Sequence, residues 1–191
     1  KDPENVYFWR MPRRRLDAEA IRDLFLAVSG KLDPTLGGPA VFPYIDPVLF
    51  QSSTDRTWHG KPEGDPSTFR RSIYVFLKRS IRYPLFEAFD QPDTVRSCDR
   101  RNRSTTGPQA LLLMNNAFVR LMAKYFAERV VEEAGTDPQA QISRAYEIAL
   151  SRPPSDFERT ESAEFLREGG KEALPDFCQT LMNLNEFVYL Q

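Results

Sequence analysis

The sequence predicts a mainly α, multi-helix globular domain with long loops and a small β element. Three observations predict it. Apolar residues recur at helical spacing through most of the second half. Capping residues, prolines and glycines stand at the ends of those periodic stretches. Most of the 15 prolines fall before residue 104, between short pieces of regular pattern. The composition, 41% hydrophobic and 12% aromatic with 14 Phe, is that of a core-forming chain. At 191 residues it reads as a single domain, 1–191, long enough to bury roughly two thirds of its unfolded surface. Within it, 1–104 is loop-rich with one helix and a short strand, and 105–191 is helical.

The first helix is expected over 16–29, where Ile21, Leu24, Phe25 and Val28 form one stripe and Gly30 follows as a terminator. The Gly37-Gly38-Pro39 turn and Pro34, Pro43, Pro47, Pro62 and Pro66 exclude a long helix over 31–69. That stretch is either an arm wrapping the core or the wall of a site. Residues 72–78, Ser-Ile-Tyr-Val-Phe-Leu-Lys, are β-branched and aromatic and read as a buried strand. A short helical turn is expected over 84–90, and 96–104 is a polar loop with four arginines. Four helices follow. The first spans 108–115; the second, 117–134, has Asn116 as N-cap. The third, 138–151, begins with Asp137-Pro138, and the fourth opens on the capping box Ser155–Glu158 and ends at Gly169. A last helix carries Leu174, Phe177, Cys178, Leu181 and Met182, and 186–190 could add an edge strand.

Charge narrows the function. With 26 basic against 27 acidic residues there is no basic excess for neutralising phosphates, so no nucleic-acid partner is expected. No apolar run approaches the ~20 residues of a membrane span. One histidine, His59, and two distant cysteines cannot make a four-donor zinc site, so no metal is expected. The chain has neither a G-x-S-x-G elbow nor the C-x-x-C-H of haem attachment, so no catalytic residue and no cofactor is assigned to it.

The feature that these exclusions leave is arginine. Arg10, Arg13, Arg14 and Arg15 precede the first helix; Arg96, Arg100, Arg101 and Arg103 crowd the polar loop. Beyond residue 127 acids outnumber bases. The arginines either fork onto carboxylates and carbonyls inside the domain or line a groove for an anion or a partner. If a site exists, it is expected at Arg96, Arg100, Arg101, Arg103, Gln109 and Asn115, with Arg13, Arg15, Trp58 and His59 as a second wall. Thr106, Gln109 and Asn115 have a structural reading as well, as caps and partners of backbone groups. Tyr7, Trp9, Trp58 and Tyr83 lie near these segments and suit a sugar-stacking or protein-docking surface, or the core. Cys98 and Cys178 are either idle thiols or the two halves of one disulfide.

Long ordered motifs carry a resemblance. Asp2-Pro3-Glu4-Asn5, Trp9-Arg10-Met11, Arg13-Arg14-Arg15-Leu16, Glu19-Ala20-Ile21-Arg22-Asp23 and Val28-Ser29-Gly30-Lys31-Leu32-Asp33 begin it. Gly37-Gly38-Pro39, Arg70-Arg71-Ser72-Ile73-Tyr74, Phe89-Asp90-Gln91-Pro92-Asp93, Ser97-Cys98 and Thr105-Thr106-Gly107-Pro108-Gln109-Ala110-Leu111 continue it, and Leu181-Met182-Asn183-Leu184-Asn185-Glu186-Phe187 closes it. Together they resemble the planctomycete-type domain of unknown function 1553, in its C-terminal part. The resemblance implies a larger extracytoplasmic protein, periplasmic or at the cell surface, in which a cytochrome c-type domain elsewhere carries haem. That setting permits a Cys98–Cys178 bridge.

Two functional readings follow. The first is a noncatalytic binding or assembly module that docks on other domains of the parent protein, on another protein or on a polysaccharide. The second is part of a polysaccharide-active enzyme whose site is shared with residues preceding this chain. Glu19, Asp23, Asp55, Asp90 and Asp93 are its candidate carboxylates, since glycoside hydrolysis needs a pair.

Overall fold

The computed structural model describes residues 2–50 and 58–190. Among them, eight α-helices and one two-stranded sheet are arranged in the order β1 (Arg14–Arg15), α1 (Ala18–Val28), α2 (Pro84–Ala88), α3 (Gly107–Asn115), α4 (Ala117–Ala134), α5 (Pro138–Leu150), α6 (Asp156–Glu168), α7 (Ala173–Asn183), α8 (Asn185–Val188) and β2 (Tyr189–Leu190). The protein is therefore mainly α, as its periodicity predicts.

The C-terminal helices form the frame. α4 packs on α5 and α7, α5 on α6 and α7, and α6 on α7. Their apolar stripes meet at Phe118, Met122, Phe126 and Val130 of α4, Ile142 and Ala145 of α5, and Phe177, Leu181 and Met182 of α7, all buried. Local chemistry sets their ends. The Asn116 side chain accepts from Val119 N, Asp137 accepts from Gln139 N and Ala140 N, and Ser155 and Glu158 cap each other reciprocally. Gly135 stops α4 at φ +72°, a left-handed conformation that costs a side-chain-bearing residue more.

α1 lies across this frame with Ile21, Phe25 and Leu26 fully buried; the Phe25 ring meets Phe118 edge-on at 6.5 Å and Phe187 at 5.5 Å. The described residues between α1 and α2 form an arm whose Val41, Ile45, Phe69 and Val75 join the same buried core as α1. The two termini meet in β1–β2, where Arg14 pairs with Leu190 and Arg15 with Tyr189. Residues 186–190 thus give only two strand residues, because α8 takes up the segment before them.

The buried strand expected over 72–78 does not form. Ser72–Tyr74 is a 3₁₀ turn, followed by single bridges from Val75 to Val41 and from Lys78 to Ile81. The reason is competition for the backbone. Asp23 of α1 accepts from Ser72 N at 2.6 Å, and Arg22 donates to Arg70 O at 3.0 Å and to Thr68 O at 2.6 Å. The first strand amide is thus held by α1, and the Tyr74 and Val75 amides are used within the turn, donating to Arg71 O and Ser72 O. Ile73, 74% exposed, also breaks the pattern of a buried strand.

The cysteine bridge is likewise not formed. Cys98 is an exposed free thiol on the polar loop, and Cys178 is a free, fully buried thiol in α7 whose pKa burial pushes up.

Candidate functional site

The polar loop, 96–104, and the 91–95 segment that leads into it are irregular in backbone yet tied down at both ends. At its base Asp90 holds a positive φ of 60°. Its carboxylate accepts from Ser104 N at 2.7 Å, from Ser104 Oγ and from Arg15 Nη2 at 2.7 Å. Burial works to raise the pKa of Asp90, but these donors hold it below the ordinary carboxylate value. Arg15 is buried and spends its remaining donors on Ser104 O, Leu16 O and Phe89 O. Gln109 completes the knot, donating to Ala88 O at 2.9 Å and Ser104 O at 3.2 Å while its carbonyl accepts from Thr106 N.

Further out, Arg101 grips Glu19 of α1 with two nitrogens at 2.7 and 3.1 Å, and Arg103 reaches Asp17 at 3.2 Å. Burial works to raise the pKa of Glu19, but the Arg101 fork, its own backbone amide and Gln91 together hold it below the ordinary carboxylate value. On the other side Arg82 pairs with Asp93 at 3.3 Å. What remains is a rim. Arg96 and Arg100 are exposed, and their side chains make no ion pair or hydrogen bond among the described residues. With Arg82, Glu87, Asp93 and Cys98 they line a polar recess of about 500 Å³.

The residues predicted for one site therefore separate by role. Arg15, Arg101, Arg103 and Gln109 hold the loop in place; their polar groups are used inside the domain and do not form an open groove for an anion. Asn115 donates back to Leu111 O within α3. Arg13 is exposed beside β1. Trp58 and His59 do not form a second wall with these arginines. The Trp58 indole donates to Pro43 O at 2.9 Å and its ring packs on Phe42, while His59 is exposed. No hydrogen bond, ion pair or ring contact joins either to the polar loop among the described residues.

The candidate carboxylates have partners too: Glu19 holds Arg101, Asp23 the Ser72 amide, Asp90 Arg15, and Asp93 Arg82. Asp55 lies outside the described residues. No group of three or more His, Cys, Asp or Glu is placed to hold a metal ion among the described residues. No helix among them is long and apolar enough to cross a membrane.

Two structural arginines had a weaker signal in the sequence. Arg22 is fully buried, pointing at carbonyls of the arm and stacking over Phe118 at 5.3 Å. Arg70 is wrapped by the Gly37-Gly38-Pro39 turn. It donates to Pro39 O at 2.7 Å, to Thr35 O and to Gly37 O, and lies 4.1 Å from the Tyr74 ring. An arginine inside an apolar helical stripe, as at 22, and a Gly-Gly-Pro turn are the marks that could have flagged them. Alongside them lies a cavity of about 590 Å³ between the 33–42 turn and Lys61, Ser67 and Thr68.

The model of the family PSD1, described as a protein of unknown function (DUF1553), matches residues 1–166. The chain belongs to that family. No curated protein and no solved structure matches it.

Proposed function

We propose that this chain is a noncatalytic binding and assembly module of a larger extracytoplasmic protein. It docks through the polar loop onto another domain of that protein. One observation carries the reading. A loop without regular structure is pinned at Asp90, Glu19 and Asp17, and Arg96 and Arg100 stand exposed next to those fastenings, beside a polar recess. Ordering a loop in advance lowers the entropy lost on association, and unpaired guanidinium groups are suited to carboxylates on a facing surface. The c-type haem and planctomycete setting implied by the resemblance belong to this proposal, with haem on another domain. The polysaccharide-enzyme reading has less support, because its described carboxylates are each engaged by an internal donor.

The test is to express the remainder of the parent protein separately and measure its affinity for this chain. The double variant Arg96→Ala/Arg100→Ala is expected to weaken association roughly tenfold, with haem absorbance unchanged. Arg101→Ala is expected to weaken it less, by loosening the loop. Equal affinity for both variants and the parent chain would remove the docking role from this loop.

A further inference from the structure

Where α3, the end of α7 and the β1–β2 pair meet lies a cavity of about 70 Å³. Its walls are of mixed character. Phe89, Leu113 and Val188 are apolar, whereas Arg15, Gln109 and Asn183 bring polar groups. Arg15 and Gln109 are buried, so their donors and acceptors need partners within the domain.

Asn183 leaves one such need unmet. Its amide nitrogen donates to Gln179 O at 2.7 Å. Its carbonyl oxygen is buried and has no hydrogen-bond partner among the described residues. Gln179 O is itself an acceptor, so the nitrogen is the atom that must meet it, and the orphan is the oxygen. A buried amide oxygen without a donor is costly, and a residue that borders a cavity has room to receive one.

Size and charge select the occupant. Small-molecule pockets begin at about 300 Å³, whereas a single water needs only about 10–15 Å³ of such space. No aspartate or glutamate lines the cavity and the Arg15 guanidinium does, which disfavours a cation. A halide has no proton to give to the Asn183 oxygen. Water both donates and accepts, and it finds spare capacity on the two buried neighbours. Arg15 uses four of its five N–H groups: Nε on Ser104 O, one of Nη1 on Leu16 O, and both of Nη2 on Phe89 O and Asp90. The Gln109 carbonyl accepts from Thr106 N and keeps a second lone pair.

We propose that this cavity is a structural water site. At least one water donates to Asn183 Oδ1 and bridges it to Arg15 and Gln109. It thereby joins the C-terminal end of α7 to the knot that fixes the base of the polar loop. The site lies within the fold, so it stands independently of the docking role proposed for Arg96 and Arg100.

The test is a high-resolution crystal structure of the 191-residue chain, with a second crystal soaked in bromide. An ordered water within hydrogen-bond distance of Asn183 Oδ1, and no anomalous bromide peak in the cavity, is the expected result. A bromide there overturns the assignment to water. So does a protein donor on Asn183 Oδ1, or a cavity without density. In solution, cross-relaxation from water should reach the side-chain amides of Asn183 and Gln109 with the sign of a long-lived bound water. Asn183→Leu should abolish that signal at Gln109, while the amide resonances of α7 show the fold retained. Persistence of the Gln109 signal in a folded Asn183→Leu chain would remove Asn183 from the site and overturn the bridge.

Discussion

The two halves of the molecule are held together by different means. From α4 onward, helices bury apolar stripes against one another, and α4, α5 and α6 each open on a side-chain cap. Before α3, short pieces lie over that frame and are fastened by arginines, of which Arg15, Arg22 and Arg70 each serve several backbone carbonyls. An irregular chain leaves its carbonyls without ladder or helix partners, and burying them unpaired is costly. A planar five-donor side chain is a compact way of satisfying several at once. The helical half needs less of this, because most of its backbone bonds close within each helix and side chains serve carbonyls chiefly at the turns, as Gln141 does for Gly135 O. Arginine clusters in a loop-rich sequence can therefore be scaffolding before they are a site.

Removing a packing residue and a fastening residue in turn should affect the two halves differently. Phe126→Ala, in the middle of α4, should cost about 3–5 kcal/mol and lower the stability of the whole domain, read by urea denaturation. Arg22→Met should cost about 3 kcal/mol, since it leaves Thr68 O, Arg70 O and Ser72 Oγ unpaired in the interior. Its loss should show in the arm first, as proteolytic cutting between α1 and α2 while α4–α7 stay protected. If both variants unfold the chain in one indistinguishable transition, the halves are not separable in this way.

A smaller effect is expected at the knot. Asp90→Asn should cost about 2 kcal/mol, because the Arg15 side chain, 4% exposed, loses its counter-charge. Faster amide exchange over residues 91–104 would be the reading. Unchanged exchange would mean that Arg101 and Arg103 suffice to hold the loop.

The helical half has its own ion pairs, and pH separates them from its packing. Arg152, bonded to Glu158 and Glu186, holds the Glu158 carboxyl down at about 2, well below its ordinary value of 4.5. A depressed carboxylate contributes stability that is complete above its unfolded pKa and is lost as pH falls through its folded one. Stability should therefore decline between about pH 4.5 and 2. Glu158→Gln should flatten part of that decline. Smallest of all is Arg101→Ala. With the pair 41% and 25% exposed it should change stability by less than about 1 kcal/mol, while loosening the loop over 96–103 in hydrogen exchange.

The sequence by itself determined the helical half closely. α4 spans 117–134 as its pattern and the Asn116 cap predict, and the capping box at Ser155 opens α6. Those signals are local: a stripe at helical spacing and a cap within four residues carry their own reason for the fold. The sequence also singled out the polar loop and offered both readings of its arginines. Only the tertiary structure decided between them residue by residue. It used Arg15, Arg101 and Arg103 internally, left Arg96 and Arg100 on the rim, and kept Trp58 and His59 apart from both. It likewise turned 72–78 from a strand into a turn with bridges, where Asp23, about fifty positions earlier, takes the Ser72 amide and Arg22 holds the carbonyls just before it. A donor that long-range folding brings to a carbonyl leaves no periodic trace in the chain.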